Sequence, residues 1–159
     1  MDKLLSLIEE NPRLSNKEMA VMLGTTEENV EKQIRLYEDT GVIKGYRAII
    51  DKEKAQTETV TALIEIKVHP KFEHGFDEIA QQIAMLEEVD NVYLMSGAYD
   101  LCCFVSDKSF QEVAMFVANR LSPLESVVST ATHFILKRFK EQGVLLAETP
   151  KDDRGNISL

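Results

Sequence analysis

The hydrophobic period of this 159-residue chain changes once, near residue 55, and that change constrains the fold more than any other feature. Before it, apolar residues recur at helical spacing: Leu4, Leu5 and Ile8, then Met19, Ala20 and Leu23, then Val30, Ile34 and Tyr37. After it, Val60, Ala62, Ile64, Ile66 and Val68 alternate with Thr61, Leu63, Glu65, Lys67 and His69, the period of a strand with one buried face. One packed layer cannot satisfy both patterns, so the chain reads as two small domains of different class. At 44% apolar and 28% charged residues it has the composition of an ordinary globular protein that needs neither disulfides nor metals to fold.

The first region punctuates itself as three short helices. Asn11-Pro12 ends the first, and Ser15 with Glu18 three residues on has the form of a capping box for the second. Gly24 permits the left-handed exit from helix two. Helix three starts a few residues later, from Thr25 with Glu28 or from Thr26 with Asn29. Gly41 is placed to stop it, and Val42–Ile50 reads as two extended pieces around Gly45, a wing-like hairpin. Residues 51–59, DKEKAQTET, lack apolar periodicity and read as a connector.

The second region alternates elements. Strand 60–68 is followed by a helical stripe of Phe72, Phe76, Ile79, Ala80, Ile83 and Leu86, then by strands 89–95 and 101–105 around a turn at 96–100. Phe110, Val113, Ala114, Val117 and Leu121 form a second helical stripe, and a last strand runs from Val127 to Lys137. The order is the ferredoxin-like βαββαβ, giving an α+β fold overall. Leu63, Cys102 and Phe104 fall opposite the helix-facing set, and Met115 and Phe116 add apolar area beside the second stripe. Self-association through equivalent surfaces would cover them. After Gly143 a tail begins apolar, so Val144–Leu146 can dock, and residues beyond Pro150 are expected to be mobile.

A helix-turn-helix places its second helix in the major groove of double-stranded DNA. On TEENVEKQIRLYED the seam of Val30, Ile34 and Tyr37 faces inward, which leaves polar side chains outside. Thr26 and Asn29 at the helix start, with Lys32, Gln33 and Arg35 along it, are the candidate DNA-binding groups, and Lys44 and Arg47 add phosphate contacts from the wing. Charge restrains this reading. The net charge is −9, and residues 1–50 carry seven basic against nine acidic residues, while the remainder carries 11 against 18. A nucleic-acid footprint is usually richer in positive charge, and Glu27, Glu28 and Glu31 lie on the helix that would do the reading. The alternative is a helical protein-interaction module with weak or lost DNA binding.

The string LSNKEMAVMLGTTEENVEKQIRLYEDTGVIKGYRAIID resembles the amino-terminal region of the leucine-responsive and asparagine-synthase regulator (Lrp/AsnC) family, and Ser96-Gly97-Ala98-Tyr99-Asp100 is similar to the turn between two strands of that family's sensing domain. The resemblance covers the chain to about residue 140 and departs from the family in the acidic character of helix three. It implies a winged helix-turn-helix over 1–50, a connector over 51–59, a ferredoxin-like effector-binding and oligomerisation domain over 60–142, and a tail over 143–159. It also implies self-association to a dimer and on to an octamer, and a small-molecule effector, an amino acid, that alters assembly or DNA affinity. The implied effector set is Met95, Ser96, Gly97, Ala98, Tyr99 and Asp100, with Thr130, Thr132 and His133 from the last strand. Asp100 and the backbone around Gly97 would meet the ammonium and carboxylate of a zwitterion; equally, Gly97 can serve a tight turn, Asp100 can cap it and Tyr99 can pack at an interface.

Catalysis is not expected. His69, His74 and His133 match no metal spacing, and the adjacent Cys102 and Cys103 point to opposite faces of a strand and cannot form an ordinary redox pair. No phosphate-binding glycine motif or cofactor site is legible. The absence of a signal peptide or of an apolar run near 18 residues, with only two cysteines, points to a reducing, cytoplasmic setting away from membranes.

Overall fold

The computed structural model describes residues 2–69 and 75–146. They form two compact units, the first ending at Ala48 and the second beginning at Ile49. The first holds α1 (Lys3–Glu10), α2 (Asn16–Leu23) and α3 (Glu27–Asp39). Each helix begins with a side-chain oxygen on an otherwise unpartnered backbone N–H. Asp2 accepts from Leu4 N–H at 2.8 Å. Ser15 and Glu18 complete the expected capping box, with Glu18 N–H on Ser15 Oγ at 3.2 Å and Ser15 N–H on Glu18 Oε2 at 2.8 Å. Thr26, the second of the two candidates, caps α3 through Asn29 N–H at 3.3 Å. Gly24 and Gly41 take left-handed φ of 65° and 70°, so α2 and α3 stop where the sequence says they should.

The core of this unit is Leu4, Ile8, Met19, Ala20 and Val30, with Leu14, Leu23, Ile34, Tyr37 and Ile43 packed around it. The wing departs from expectation, because no strand forms over residues 42–50. A two-residue hairpin needs positive φ in its turn, and Gly45 does not supply it. The extended segment is held instead by Ile43 N–H on Tyr37 O at 3.0 Å and by Tyr46 hydroxyl on Glu38 Oε1 at 2.9 Å.

The second unit contains β1 (Val60–Val68), α4 (Asp77–Ala84), β2 (Val89–Leu94), β3 (Leu101–Asp107), α5 (Phe110–Phe116) and β4 (Val127–Phe134), with the short strands β5 (Lys140–Glu141) and β6 (Val144–Leu145). The antiparallel sheet has the order β2-β3-β1-β4 of the ferredoxin-like arrangement. Ala62, Ile64, Ile66 and Val68 pack with Leu101, Cys103 and Val105 of β3 and with Ile79, Ile83, Val113, Phe116 and Leu121 from the helices. Phe72 of the first stripe lies outside the described residues, as does His74.

Three details differ from the sequence reading. Phe116 belongs to the core, because it lies three residues after buried Val113 on the same face of α5; the helix then continues as a π-helical turn, Val117–Leu121, that carries buried Leu121. Met115 is exposed as expected. The last strand stops at Phe134, although Ile135 N–H still reaches Thr61 O at 2.9 Å. Gly143 and Gln142, with φ of 88° and 43°, form the tight turn of the β5–β6 hairpin, so Val144 and Leu145 pair with Glu141 and Lys140. Residues beyond Pro150 lie outside the described residues. Among the described residues, no helix is long and apolar enough to cross a membrane and no group of three His, Cys, Asp or Glu is placed to hold a metal ion.

Candidate functional site

Helix α3 turns Val30, Ile34 and Tyr37 inward and presents Glu28, Asn29, Lys32 and Arg35 to solvent. The two cations are not bare. Lys32 Nζ lies 2.8 Å from Glu28 Oε1, and Arg35 pairs with Glu31, each one helical turn back. Both cationic side chains are 71% exposed, so the pairs are worth only a few tenths of a kcal/mol and do not anchor the helix.

The other DNA-binding candidates divide by task. Thr26 is the α3 cap, and Asn29 donates from Nδ2 to Thr25 Oγ1 at 3.3 Å, so both shape the helix start. Gln33 is half-buried, whereas Lys32 is exposed. The Tyr37 hydroxyl donates to Asp2 Oδ2 at 2.6 Å, which joins α3 to the start of α1. That hydroxyl, with the Leu4 N–H, holds the Asp2 carboxyl below its ordinary pKa, and Asp2 raises that of Tyr37. Lys44 folds back over Gly41, where an added Cβ would meet its Nζ at 2.6 Å. Arg47 is exposed in the extended segment.

In the second unit, the turn after β2 leaves Met95, Ser96, Gly97 and Ala98 exposed and Tyr99 and Asp100 half-buried. Asp100 does structural work: Oδ2 accepts from Val68 N–H at 2.9 Å, and its own N–H donates to Ile66 O at 3.1 Å. The turn is thereby fastened to the end of β1, where the pairing with β4 shifts register at Lys67/Val68. Gly97 has no positive φ, and a Cβ placed there would meet nothing within 4 Å. A tight left-handed turn is therefore not the reason for a glycine at 97. The space above it is open.

The last-strand candidates do not share one surface. Thr130 and Thr132 lie opposite Ile66 and Ile64 and so face the helices, whereas His133 pairs with Leu63 on the uncovered face, 3.3 Å from Glu65 Oε1. Only Thr130 lies near the Asp100 end of β1. The uncovered face also carries Leu63, Cys102, Phe104 and Tyr93, the last two rings edge-on at 6.3 Å. Cys102 is buried among them, and Cys103 points the other way into the helix-side core, where burial pushes its thiol up to about 12. Neither thiol is available as a nucleophile.

Sequence reasoning missed Arg138, which donates from a terminal guanidinium nitrogen to Thr61 Oγ1 at 2.7 Å. Thr61 shares a hydrogen bond with Ser106 at 2.9 Å, and Ser106 donates to Asp90 at 2.6 Å, so one polar line crosses three strands. A buried threonine at an otherwise apolar strand start was the available signal.

The chain is similar to known regulators over nearly its whole length. The Lrp/AsnC ligand binding domain matches residues 61–145, and a winged helix-turn-helix DNA-binding domain matches residues 3–44. An HTH-type transcriptional regulator of Bacillus subtilis, YugG, is 44% identical over 96% of this chain and 92% of its own length. A proline dehydrogenase transcriptional activator of Rhizobium radiobacter is 23% identical over 89% of this chain and 90% of its own. A transcriptional regulator of Neisseria meningitidis, solved in complex with L-Met, superposes with a TM-score of 0.69 at 21% identity, covering 89% of this chain and 93% of that one. With a helix-turn-helix at its start and the ligand-binding domain covering more than half of its length, this chain belongs to the Lrp/AsnC family of DNA-binding transcriptional regulators.

Proposed function

We propose that this regulator binds an amino acid over the 95–100 turn and that occupancy changes its assembly or its affinity for double-stranded DNA. Residues 1–50 would carry DNA contact and 60–142 effector binding and association, with 51–59 joining them. The observation that carries the effector reading is Gly97, whose glycine is required neither by φ nor by any neighbour in its own subunit. The open space above it would admit a ligand's carboxylate drawn to the turn amides. The L-Met complex of the Neisseria regulator supports an amino acid as the class. Asp100 contributes charge for an ammonium while its Oδ2 holds Val68. The uncovered apolar face around Tyr93 and Phe104 supports a dimer, with further assembly to an octamer. Such a protein works on DNA, without catalysis, in the cytoplasm.

Calorimetry against individual amino acids, L-methionine included, tests the site. Asp100→Asn keeps an acceptor for Val68 N–H but removes the charge, and Gly97→Val fills the open space. Each should weaken binding about tenfold or more. Binding unchanged in both moves the effector site away from this turn. Genome-wide capture of bound DNA with and without an amino-acid pool tests recognition and response together, and light scattering of the free chain should show a dimer or larger.

A second reading, an effector-responsive oligomer with weakened DNA binding, is favoured by the Glu28–Lys32 and Glu31–Arg35 pairs on the reading helix. Anisotropy against duplex DNA at several salt concentrations separates the two. Salt-sensitive binding that collapses when Lys32, Arg35, Lys44 and Arg47 are replaced by alanine supports the first reading; no duplex binding supports the second.

A further inference from the structure

The second unit contains a cavity of about 590 Å³ at the opposite end of β1 from the 95–100 turn. Thr61 lies on its wall, while Asp100 is fastened to Val68, seven residues along the strand and therefore about 20 Å away. The cavity is closed on one side by the connector, which is more ordered than its composition predicts. Ala55 N–H reaches Asp51 O at 2.9 Å and Thr57 N–H reaches Lys52 O at 3.0 Å, and Gln56 ends this turn with φ of 53°.

Its lining is chemically distinct from the rest of the domain. Residues 51–159 are strongly acidic, with 11 basic against 18 acidic residues. Four of those eleven cations, Lys52, Lys54, Lys137 and Arg138, line this one cavity with the two acids Asp51 and Glu53, and a third acid, Glu141, reaches Arg138. Asp51 Oδ1 is already an acceptor for the N–H groups of Glu53 and Lys54 at 3.1 Å. Ile50, Ile135, Leu136 and Phe139 supply apolar surface to the same lining, with Lys137 Nζ 5.4 Å from the Phe139 ring centroid. Arg138 is recessed, with 27% of its side chain exposed, and is oriented by Thr61 at 2.7 Å and by Glu141, 3.5 Å from Nε. Thr61 itself is 5% exposed, so the guanidinium is fixed by a buried hydroxyl that the Ser106–Asp90 line holds in place. A recessed, pre-oriented guanidinium that shares a cavity with lysines and apolar side chains suits one chemistry.

We propose that this cavity is a second ligand site, for a small carboxylate with an apolar body and no positive group. The carboxylate sits at Arg138 with Lys137 and Lys52 beside it, and the body lies against Ile135 and Leu136. A zwitterion is disfavoured because its ammonium would enter an excess of positive charge, which separates this site from the turn at 95–100. A DNA phosphate would also be drawn to the lysines, so duplex affinity is measured alongside carboxylate binding.

Three probes of one shape test the assignment by calorimetry on the full-length chain: 4-methylpentanoate, its amide, and L-leucine. The carboxylate should bind saturably and the amide at least tenfold more weakly. The Lys52→Gln/Lys137→Gln double variant, which changes only side chains at the cavity mouth, should weaken 4-methylpentanoate at least tenfold, as should Arg138→Gln. Thermal melts of all three proteins show whether the fold is kept. Asp100→Asn should leave 4-methylpentanoate binding unchanged, which keeps this test separate from that of the effector turn. No saturable binding up to roughly 10 mM overturns the proposal, as does equal binding by wild type and the lysine variant. Loss of duplex-DNA affinity in the lysine variant without any carboxylate binding overturns it in favour of a phosphate contact.

Discussion

The helical unit and the sheet unit reach stability and arrange charge in opposite ways. Among the described residues, the first rests on five buried apolar side chains and the second on twelve. The small unit therefore relies on polar devices at its helix ends: Asp2 on Leu4 and Tyr37, the Ser15–Glu18 box, and Thr26. The sheet unit buries Ile64, Ile66, Leu101, Cys103, Val105 and Val113 almost completely, and the Ser109 cap of α5 and Asp100 on Val68 add to that larger core. Charge shows the same contrast. On α3 each outward cation has an acid one turn away, whereas the acidic sheet unit gathers four cations around one cavity.

The largest test of this comparison is in the cores. Ile64→Ala should destabilise the sheet unit by about 4 kcal/mol, because a fully buried site in a rigid sheet relaxes little around the void. Ile8→Ala, at the margin of the smaller cluster, should cost about 2 kcal/mol, and urea unfolding of the full chain followed by probes in each unit reads both. An equal cost would show that the helical unit is packed as tightly as the sheet.

Next in size is the reading face. Replacing Lys32, Arg35, Lys44 and Arg47 by alanine should reduce duplex affinity by about 100-fold at low salt and flatten the salt dependence. The reverse change, Glu28→Gln with Glu31→Gln, should raise affinity for random duplex several-fold while melting little, because the lost ion pairs are exposed. A fall in random-duplex affinity would show that these acids position the cations instead of masking them.

The helix-end devices come third. Ser15→Ala should cost about 1 kcal/mol in the first unit's melting. The pH dependence has a definite sign. Hydrogen bonds from Tyr37 and Leu4 depress Asp2, and Ser15 depresses Glu18, so each folded pKa lies below its unfolded value. Their stabilisation is complete above the unfolded values near pH 4 and is lost as pH falls through the depressed ones. The helical unit should therefore lose stability first on acidification, and a melt series from pH 6 to about 3 should show its transition shifting ahead of the sheet's. The smallest effect concerns the thiols. Burial raises both Cys102 and Cys103, so the native chain should resist iodoacetamide at neutral pH and react only when unfolded.

Much of this was legible from residue order because it depends on near neighbours. The capping box, the left-handed glycines at 24 and 41, and the alternation that buries Ile64 and exposes Lys67 all follow from spacing within a few positions. The differences occur where packing or an unmet turn geometry decides. Phe116 joins buried Val113 on the core face of α5 instead of widening the exposed apolar area, and residues 42–50 stay extended because Gly45 lacks the φ to turn a hairpin.

By itself the sequence determined that there are two units of different class, where most helices start and stop, which strand face is apolar, and that helix three carries acids among its bases. Those properties arise from periodicity, local hydrogen bonding and composition, which are fixed before any long-range contact forms. Only the tertiary structure decided that Asp100 secures Val68, that Thr130 and His133 lie on opposite faces, and that Arg138, Thr61, Ser106 and Asp90 form one line across the sheet. Those residues lie tens of positions apart, and the register of the sheet is what brings them within hydrogen-bonding distance.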